Sequence, residues 1–187
     1  MADSNITKRA LAVALRELME EIPFEKINVA QICEKCGMNR KSFYYHFRDK
    51  YDLVNWIFDT EFIPIAKEGI DANDYNSQWT FIEQACDYFY ENRSFYRKAL
   101  KIKGQNSFSE HLREYSFPLI KFRMENLLGD EYTDDFGVTF FTDAVIYTIE
   151  RWLLDKDCLP PDQFTAKLKS FLQTYVDALH KEMNSSE

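Results

Sequence analysis

Apolar side chains recur every three or four residues along most of this chain, and no segment alternates between polar and apolar residues as a strand does. The last segment shows the helical spacing best, on one face formed by Phe164, Leu168, Phe171, Leu172, Tyr175, Val176 and Leu179. The five Gly and five Pro are too few for the many turns of a β-sandwich. The spacing therefore predicts an all-α protein.

Cap and turn residues set the expected helix ends. We predict helices at 5–19, 29–36, 39–47, 51–62, 77–91, 94–102, 107–128, 133–155 and 161–183. Asn28 with Gln31 three positions later is typical of a capping box, and Gly37 supplies the left-handed residue that ends a helix sharply. We expect Pro64 to end or kink the fourth helix. The first sixty residues thus contain two short helices on either side of a glycine turn.

The segment 136–154 is apolar over more of its circumference than one neighbouring core requires. Its apolar residues are Phe136, Phe140, Phe141, Ala144, Val145, Tyr147, Ile149, Trp152 and Leu153. A second buried surface, made with a partner subunit, is the simplest explanation for this width.

Charge divides the chain into two parts. The net charge is −8, yet residues 1–60 carry nine basic and nine acidic side chains, so the whole negative excess lies in 61–187. Residues 35–50 include five basic side chains and one acidic side chain, Asp49, which gives a local charge of +4 inside an acidic protein. Phosphate is the counter-charge that such a segment favours.

Polar side chains suited to nucleic acid lie between these basic residues: Asn39, Ser42, Tyr44, Tyr45 and His46. A helix of about nine residues that follows a glycine turn can present its first turn to a major groove about 12 Å wide. This segment is therefore predicted to bind double-stranded DNA.

The run from Ile32 to Lys50 reads ICEKCGMNRKSFYYHFRDK and resembles the signature of the TetR/AcrR family of transcriptional regulators, the Tyr-Tyr-His-Phe block being its specific part. The resemblance implies a three-helix helix-turn-helix DNA-binding domain at 1–48. It also implies a helical bundle at 49–187 that binds a ligand and dimerises through its last two helices. The run from Tyr147 to Leu154 resembles, more loosely, a subgroup that includes the dihydroxyacetone-kinase operon regulator.

The same resemblance implies that Tyr45, His46 and Lys50 contact phosphates, with Asn28 and the start of the second helix holding another phosphate. These contacts set the register of the protein on DNA.

The residues expected to face base edges are Arg40, Lys41, Ser42 and Tyr44. Arg40 is suited to bidentate reading of a guanine, although its side chain also has the reach for a phosphate. Asn39 begins the third helix, so it either contacts DNA or caps the helix. Two such helices in a dimer would require a near-palindromic operator.

Cys33 and Cys36 form a Cys-x-x-Cys pair, which elsewhere suggests zinc or redox chemistry. No second Cys or His pair lies near them in the sequence, and small buried thiols pack like alanine. We therefore favour core packing, and we predict no metal and no cofactor.

The body is rich in aromatic residues, and those expected to line an effector pocket are Trp79, Tyr88, Tyr96, Tyr115, Phe117 and Tyr147. Such a set either lines a pocket between bundle helices or forms ordinary core. The sequence leaves both interpretations open.

We expect a transcriptional repressor that a small-molecule effector releases from DNA. The alternative is an activator or co-regulator whose helical body binds a partner protein. An enzyme is the remote alternative, since His111 and His180 have no nearby acid or nucleophile and the glycines do not cluster. No window approaches the roughly 18 apolar residues of a membrane span, and the N-terminus does not resemble a signal peptide, so we expect the cytoplasm.

Overall fold

The structure is a computed structural model that describes residues 2–70, 75–104, 107–128 and 133–184. Its elements are α1 (Ala2–Glu21), a 3₁₀ turn (Phe24–Lys26), α2 (Val29–Lys35), α3 (Arg40–His46), α4 (Lys50–Ile70), α5 (Tyr75–Glu91), α6 (Arg93–Ala99), α7 (Phe108–Leu128), α8 (Asp135–Leu154) and α9 (Pro161–Asn184). Within these ranges there is no strand. The all-α prediction is confirmed, with most helix ends displaced by one to three residues.

The fourth helix differs from its prediction at Pro64. We expected Pro64 to end or kink it near Phe62, but α4 continues through Pro64 to Ile70. Proline removes one backbone donor from the helix, a local cost that tertiary packing can offset. Phe62 and Ala66, on either side of Pro64, are both buried, and α4 packs against α5 and α7. That packing holds the helix together across the proline.

The first three helices and the start of α4 form one small unit, which we call the head. α1 packs against α2, α3 and α4. Its buried residues Leu11 and Leu15 belong to the same core as Ile32 of α2 and Phe43 of α3. This core fixes α3 on the outside of the head.

The remaining helices form the body, and α4 connects it to the head. Phe58 of α4 lies with its ring centroid 4.9 Å from Phe62, 6.3 Å from Phe89 of α5 and 5.4 Å from Phe108 of α7. The buried residues of head and body form one continuous cluster through α4. The division at residues 48 and 49 stays a prediction, because α4 packs on both parts.

α8 has two opposite apolar faces. Val138, Ile146 and Leu153 are buried, and α8 packs against α7. Phe136, Phe140 and Tyr147 are 79%, 68% and 60% exposed. At 100° per residue, this exposed stripe lies on the side of the helix away from the buried one.

Among the described residues, no helix combines the length and the apolar character that a membrane crossing requires.

Candidate nucleic-acid interface

Asparagine caps set the start of both short helices of the head. The Asn28 side chain accepts a hydrogen bond from the Gln31 amide at 3.0 Å, and the Gln31 side chain accepts one from the Asn28 amide at 2.9 Å. The predicted capping box is therefore present. Asn39 caps α3 in a similar way, accepting from the Ser42 amide at 2.8 Å and from the Ser42 hydroxyl at 3.2 Å. Of the two roles considered for Asn39, the structure displays the cap.

The turn between α2 and α3 follows from Gly37. This residue has φ +67°, in the left-handed region. The Met38 amide donates to the Cys33 carbonyl at 2.8 Å and the Gly37 amide donates to the Glu34 carbonyl at 3.1 Å. These two bonds form a Schellman motif, which ends α2 and redirects the chain into α3.

α3 divides cleanly into an inner and an outer face. Phe43 and Phe47 are buried, as the sequence predicted, and their rings lie 5.8 Å apart. The exposed residues are Arg40, Lys41, Tyr44 and Tyr45. Among the large hydrophobic side chains of the described residues, Tyr45 has the highest exposure, at 83%. The helix is anchored by its aromatic side, and polar and basic groups cover the other.

Two predicted contact residues lie at the border between these faces. Ser42 and His46 are half-buried. The His46 ring packs edge-on against Tyr45, with 4.9 Å between centroids. Ser42 and His46 therefore still form part of the outer surface of α3.

Lys50 has partners inside the head. Its ammonium donates to the carbonyl oxygens of Phe24 and Ile27, both at 2.7 Å, and lies 4.4 Å from the centroid of the Phe24 ring. Burial lowers the pKa of Lys50, and the nearby Glu25 and Asp49 carboxylates offset part of that effect. In this structure Lys50 ties the 3₁₀ turn to the start of α4, and its predicted phosphate contact stays a prediction.

Other basic residues of the segment 35–50 also pair with acids. The Lys35 ammonium lies 3.0 Å from a Glu21 carboxylate oxygen and 3.4 Å from one of Glu17, both on α1. Arg48 lies 3.5 Å from Asp52. The two basic residues that open α3 make no ion pair within the part of the chain that the structure describes. The positive charge available to a ligand is therefore concentrated at the start of α3.

A surface cleft of about 480 Å³ lies beside this exposed charge. Its lining includes Asn28, Arg40, Tyr44 and Lys50. Four of the predicted DNA contacts from three different helices thus share one concave surface.

The two cysteines of α2 pack locally. Cys33 is buried in the core of the head, and the half-buried Cys36 thiol donates to the Ile32 carbonyl at 3.3 Å. Burial raises the pKa of both thiols. The described residues contain no group of three His, Cys, Asp or Glu side chains arranged to hold a metal.

The aromatic residues predicted for an effector pocket are only partly brought together. Tyr88 and Tyr115 both lie against Phe62, with ring centroids at 5.6 and 6.2 Å, and Tyr96 is fully buried beside Tyr88. Phe117 is half-buried on α7.

Trp79 and Tyr147 lie elsewhere. Trp79 is buried with the Lys169 ammonium 5.2 Å from its ring, and Tyr147 is on the exposed face of α8. Surface clefts at the start of α9, beside α3 and at the end of α1 contain none of the six predicted residues in their linings among the described residues.

The sequence did not predict one polar network, which connects α1, α4, α5 and α6. Arg16 of α1 donates to Glu61 of α4 at 2.6 Å and to Asn92 at 3.3 Å. The Tyr88 hydroxyl donates to the same Glu61 oxygen at 3.0 Å and lies 2.5 Å from the Tyr96 hydroxyl. Burial raises the pKa of both tyrosines. The partners are far apart in sequence, so no local spacing indicates them.

Two family models match this chain. The one described as "Bacterial regulatory proteins, tetR family" matches residues 11–57, which span the head and the start of α4. The TetR-type "Transcriptional regulator C-terminal region" matches residues 77–174, more than half of the chain. The chain belongs to the TetR family. The family named from the Ile32–Lys50 run is confirmed.

Among TetR-family relatives, the HTH-type dhaKLM operon transcriptional activator DhaS of Lactococcus lactis subsp. lactis (strain IL1403) is 28% identical over 102 residues. That match covers 54% of this chain and 53% of the relative, so the chain matches about half the length of that protein.

Solved structures show the same TetR-family fold. The dihydroxyacetone kinase operon activator DhaS is 19% identical, with a TM-score of 0.63 over 92% of this chain and 97% of that one. NalD, the secondary repressor of the MexAB-OprM multidrug efflux pump in Pseudomonas aeruginosa, is 18% identical, with a TM-score of 0.66 over 90% and 94%.

Proposed function

We propose that this TetR-family protein is a sequence-specific DNA-binding transcriptional regulator. The observation that carries the proposal is the two-sided α3, which is anchored by Phe43 and Phe47 and presents Arg40, Lys41 and Tyr44 to the outside. A capped helix of this length behind a glycine turn fits the major groove. A regulator of this kind acts at the chromosome, which for a bacterial protein places it in the cytoplasm.

Within the proposal, the exposed residues of α3 divide into two sets. Arg40, Lys41, Ser42 and Tyr44 face base edges, with Arg40 as the bidentate reader of a guanine. The residues assigned to phosphates are Asn28, Tyr45, His46 and Lys50. Asn39 serves chiefly as the cap that fixes where α3 begins.

The active form in this proposal is a homodimer joined through α8 and α9. The exposed stripe of α8 contains Phe136, Phe140 and Tyr147, and α9 exposes Phe171 and Tyr175 with their rings stacked 6.2 Å apart. Such contiguous apolar faces are typical of surfaces that another protein covers. A two-fold axis between two such heads requires a near-palindromic operator.

The effector belongs to the proposal as well. Tyr88 and Tyr115 pack against Phe62 between α4, α5 and α7, with Tyr96 of α6 beside Tyr88. An apolar small molecule that displaced the half-buried Tyr115 ring would press directly on α4. Because α4 begins in the head, its displacement would change the separation of the two heads and release the operator.

An activator that binds a partner protein is the second candidate. The rings around Phe62 fill the interior between α4, α5 and α7, which favours regulation through the surface of the body. Among similar proteins, DhaS is an activator and NalD is a repressor, so both activation and repression occur.

Selection of bound duplexes from a random DNA pool tests the proposal. The full chain is used at one stated salt concentration, because phosphate contacts make affinity depend steeply on salt. We expect recovery of a two-fold symmetric sequence. Recovery of unrelated sequences, or a single asymmetric site bound by a monomer, would contradict the proposal.

A further inference from the structure

Three consecutive side chains of the short helix α6 point in different directions, and each bonds to a different helix. Successive residues of an α-helix lie about 100° apart around its axis. Tyr96 reaches α5, Arg97 reaches the end of α8, and Lys98 reaches the end of α1. We call these three the α6 coupling residues.

Lys98 bonds the body to the head. Its ammonium donates to the carbonyl oxygen of Met19 and, at 3.3 Å, to that of Glu20. Both carbonyls are in the last turn of α1, where they have no partner within the helix. The C-terminal end of a helix carries partial negative charge, so a cation is favourable there. Lys98 thus holds α1 of the head in a fixed place on α6.

Arg97 makes the equivalent bond to α8. Its Nε donates to the Leu153 carbonyl and its Nη2 to the Asp155 carbonyl, each at 2.5 Å. These oxygens belong to the last turn and cap of α8. Two neighbouring cations of one short helix therefore cap the C-termini of two different helices.

Tyr96 adds a second connection from α6 to the head. Its hydroxyl bonds to that of Tyr88, which donates to Glu61, and Glu61 also accepts from Arg16 of α1. The Arg16 guanidinium lies 4.4 Å from the centroid of the Phe95 ring of α6. α1 is thus held to α6 at two places, one along its middle and one at its end.

We infer that the α6 coupling residues are positioning residues that set the orientation of the head relative to α8, and through it the separation of the two heads on DNA. This inference rests on the proposed dimer, in which α8 supplies part of the contact between subunits. α8 is fixed to α6 by Arg97 and the head is fixed to α6 by Lys98, so a route from the subunit contact to α3 passes through α6, beside the route through α7 and α4. The residues touch no DNA; they act by limiting the angles that the head can take.

The test varies the distance between the two half-sites of the selected operator by one base pair at a time. Wild-type protein is expected to prefer one spacing sharply. In Lys98→Met the preference for that spacing over its neighbours falls about fivefold, because one capping cation is lost. Affinity for a duplex with a single half-site stays unchanged, since α3 is intact. Arg97→Gln, which acts at the other end of the connection, gives the same broadened profile.

Two variants serve as controls for Lys98→Met. Lys98→Arg keeps a cation that reaches the carbonyls and retains the sharp profile. Lys101→Met removes an equal charge from an exposed residue that, like Lys98, lines a surface cleft at the end of α1, and it also leaves the profile unchanged. The circular-dichroism spectrum and dimer mass of each variant are compared with those of the wild type, so that a folding defect is recognised.

A profile as sharp as the wild type's in both Lys98→Met and Arg97→Gln, with both variants folded, would overturn the inference. An equal loss on single half-sites would also overturn it, because the residues would then support α3 itself. If wild-type protein selects no two-fold symmetric operator, the proposed function fails first, and this inference fails with it.

Discussion

Arg40 and Tyr45 are both exposed on α3, yet in the proposed complex they would face different parts of a groove. Five helical positions separate them, which places their side chains about 140° apart around the axis. A guanidinium at the start of the helix can meet the two acceptors of a guanine, whereas a phenol at the side of the helix is placed for one backbone phosphate. In the proposed complex, the Arg40 contact would depend on the DNA sequence and the Tyr45 contact would not.

Substitutions at these two positions should therefore have different consequences. Arg40→Ala is expected to cost about 1 to 3 kcal/mol of discrimination at one base pair of each half-site. Tyr45→Phe removes only a hydroxyl, and it should weaken binding to every duplex alike by about 1 kcal/mol. Competition between operators that differ at single positions, measured at one salt concentration, separates the two patterns.

Tyr90→Phe is the control for the hydroxyl, because Tyr90 is a half-buried tyrosine on α5 of the body and lies outside α3, α8 and α9. If Arg40→Ala lowered the affinity equally for all operators, whichever base pair is changed, Arg40 would contact a phosphate. Unchanged affinity in both head variants would refute the docking of α3 in the groove.

Whether a residue's role was predictable depended on how far away its partners lie in the sequence. The Asn28–Gln31 box and the Asn39 cap span three positions, so the residue types and their spacing were sufficient. Lys50 carries the same charge as a phosphate-binding lysine, but its acceptors belong to Phe24 and Ile27. Only the folded arrangement of the 3₁₀ turn against α4 brings that ammonium to those carbonyls.

The short α2 and α3 depend on the turn between them, and Gly37 is the residue that the turn requires. A Cβ added at Gly37 would meet no atom within 4 Å, so any cost of adding a side chain comes from the backbone alone. Its φ of +67° costs an L-residue roughly 1 to 2 kcal/mol. Asparagine tolerates this region better than other residues do.

Gly37→Ala should accordingly lower the free energy of unfolding by about 1 kcal/mol, and Gly37→Asn by less. Urea unfolding followed by circular dichroism measures both. The order of the two variants is the informative result, because equal losses would indicate a packing effect in place of backbone strain.

For the longer helices, the period of the apolar residues was sufficient to predict that each helix exists. The residues at which each helix ends depended on its contacts with neighbouring helices. α4 illustrates the limit, because the local rule for Pro64 was outweighed by packing that buries Phe62 and Ala66 against the body. The hydrogen bonds from α6 to α1 and α8 show the same limit of prediction from local sequence. Arg97 and Lys98 look like ordinary surface cations in the sequence, since their carbonyl acceptors lie 56 and 79 positions away.

Head and body share one buried cluster, so a structural change in one of them alters the packing of the other. α4 passes from the head into the aromatic interior, and α6 connects α1 with α8. A protein built in this way can convert a shift within the body into a new position of α3. For two heads to bind DNA together, the body must also hold a second copy, and the exposed apolar stripe of α8 is the surface proposed for that contact.

Phe140→Asp tests this contact directly. A carboxylate at a position that becomes buried in each subunit would cost several kcal/mol per dimer, since an unpaired charge loses its hydration there. Sedimentation should show a monomer at micromolar concentration, where the wild type is expected to be a dimer. Affinity for the full operator should fall to that for one half-site, because the advantage of joining two heads disappears.

Val13→Asp is the matched control, since Val13 is an exposed apolar residue of α1 in the head and lies outside α8 and α9. It should leave the mass of the particle unchanged. Single half-site binding should be equal in wild type and Phe140→Asp, because α3 and its caps are untouched. A Phe140→Asp protein that stays dimeric would show that the subunits meet through another surface, and the two heads would then have to be arranged differently on DNA from the manner proposed.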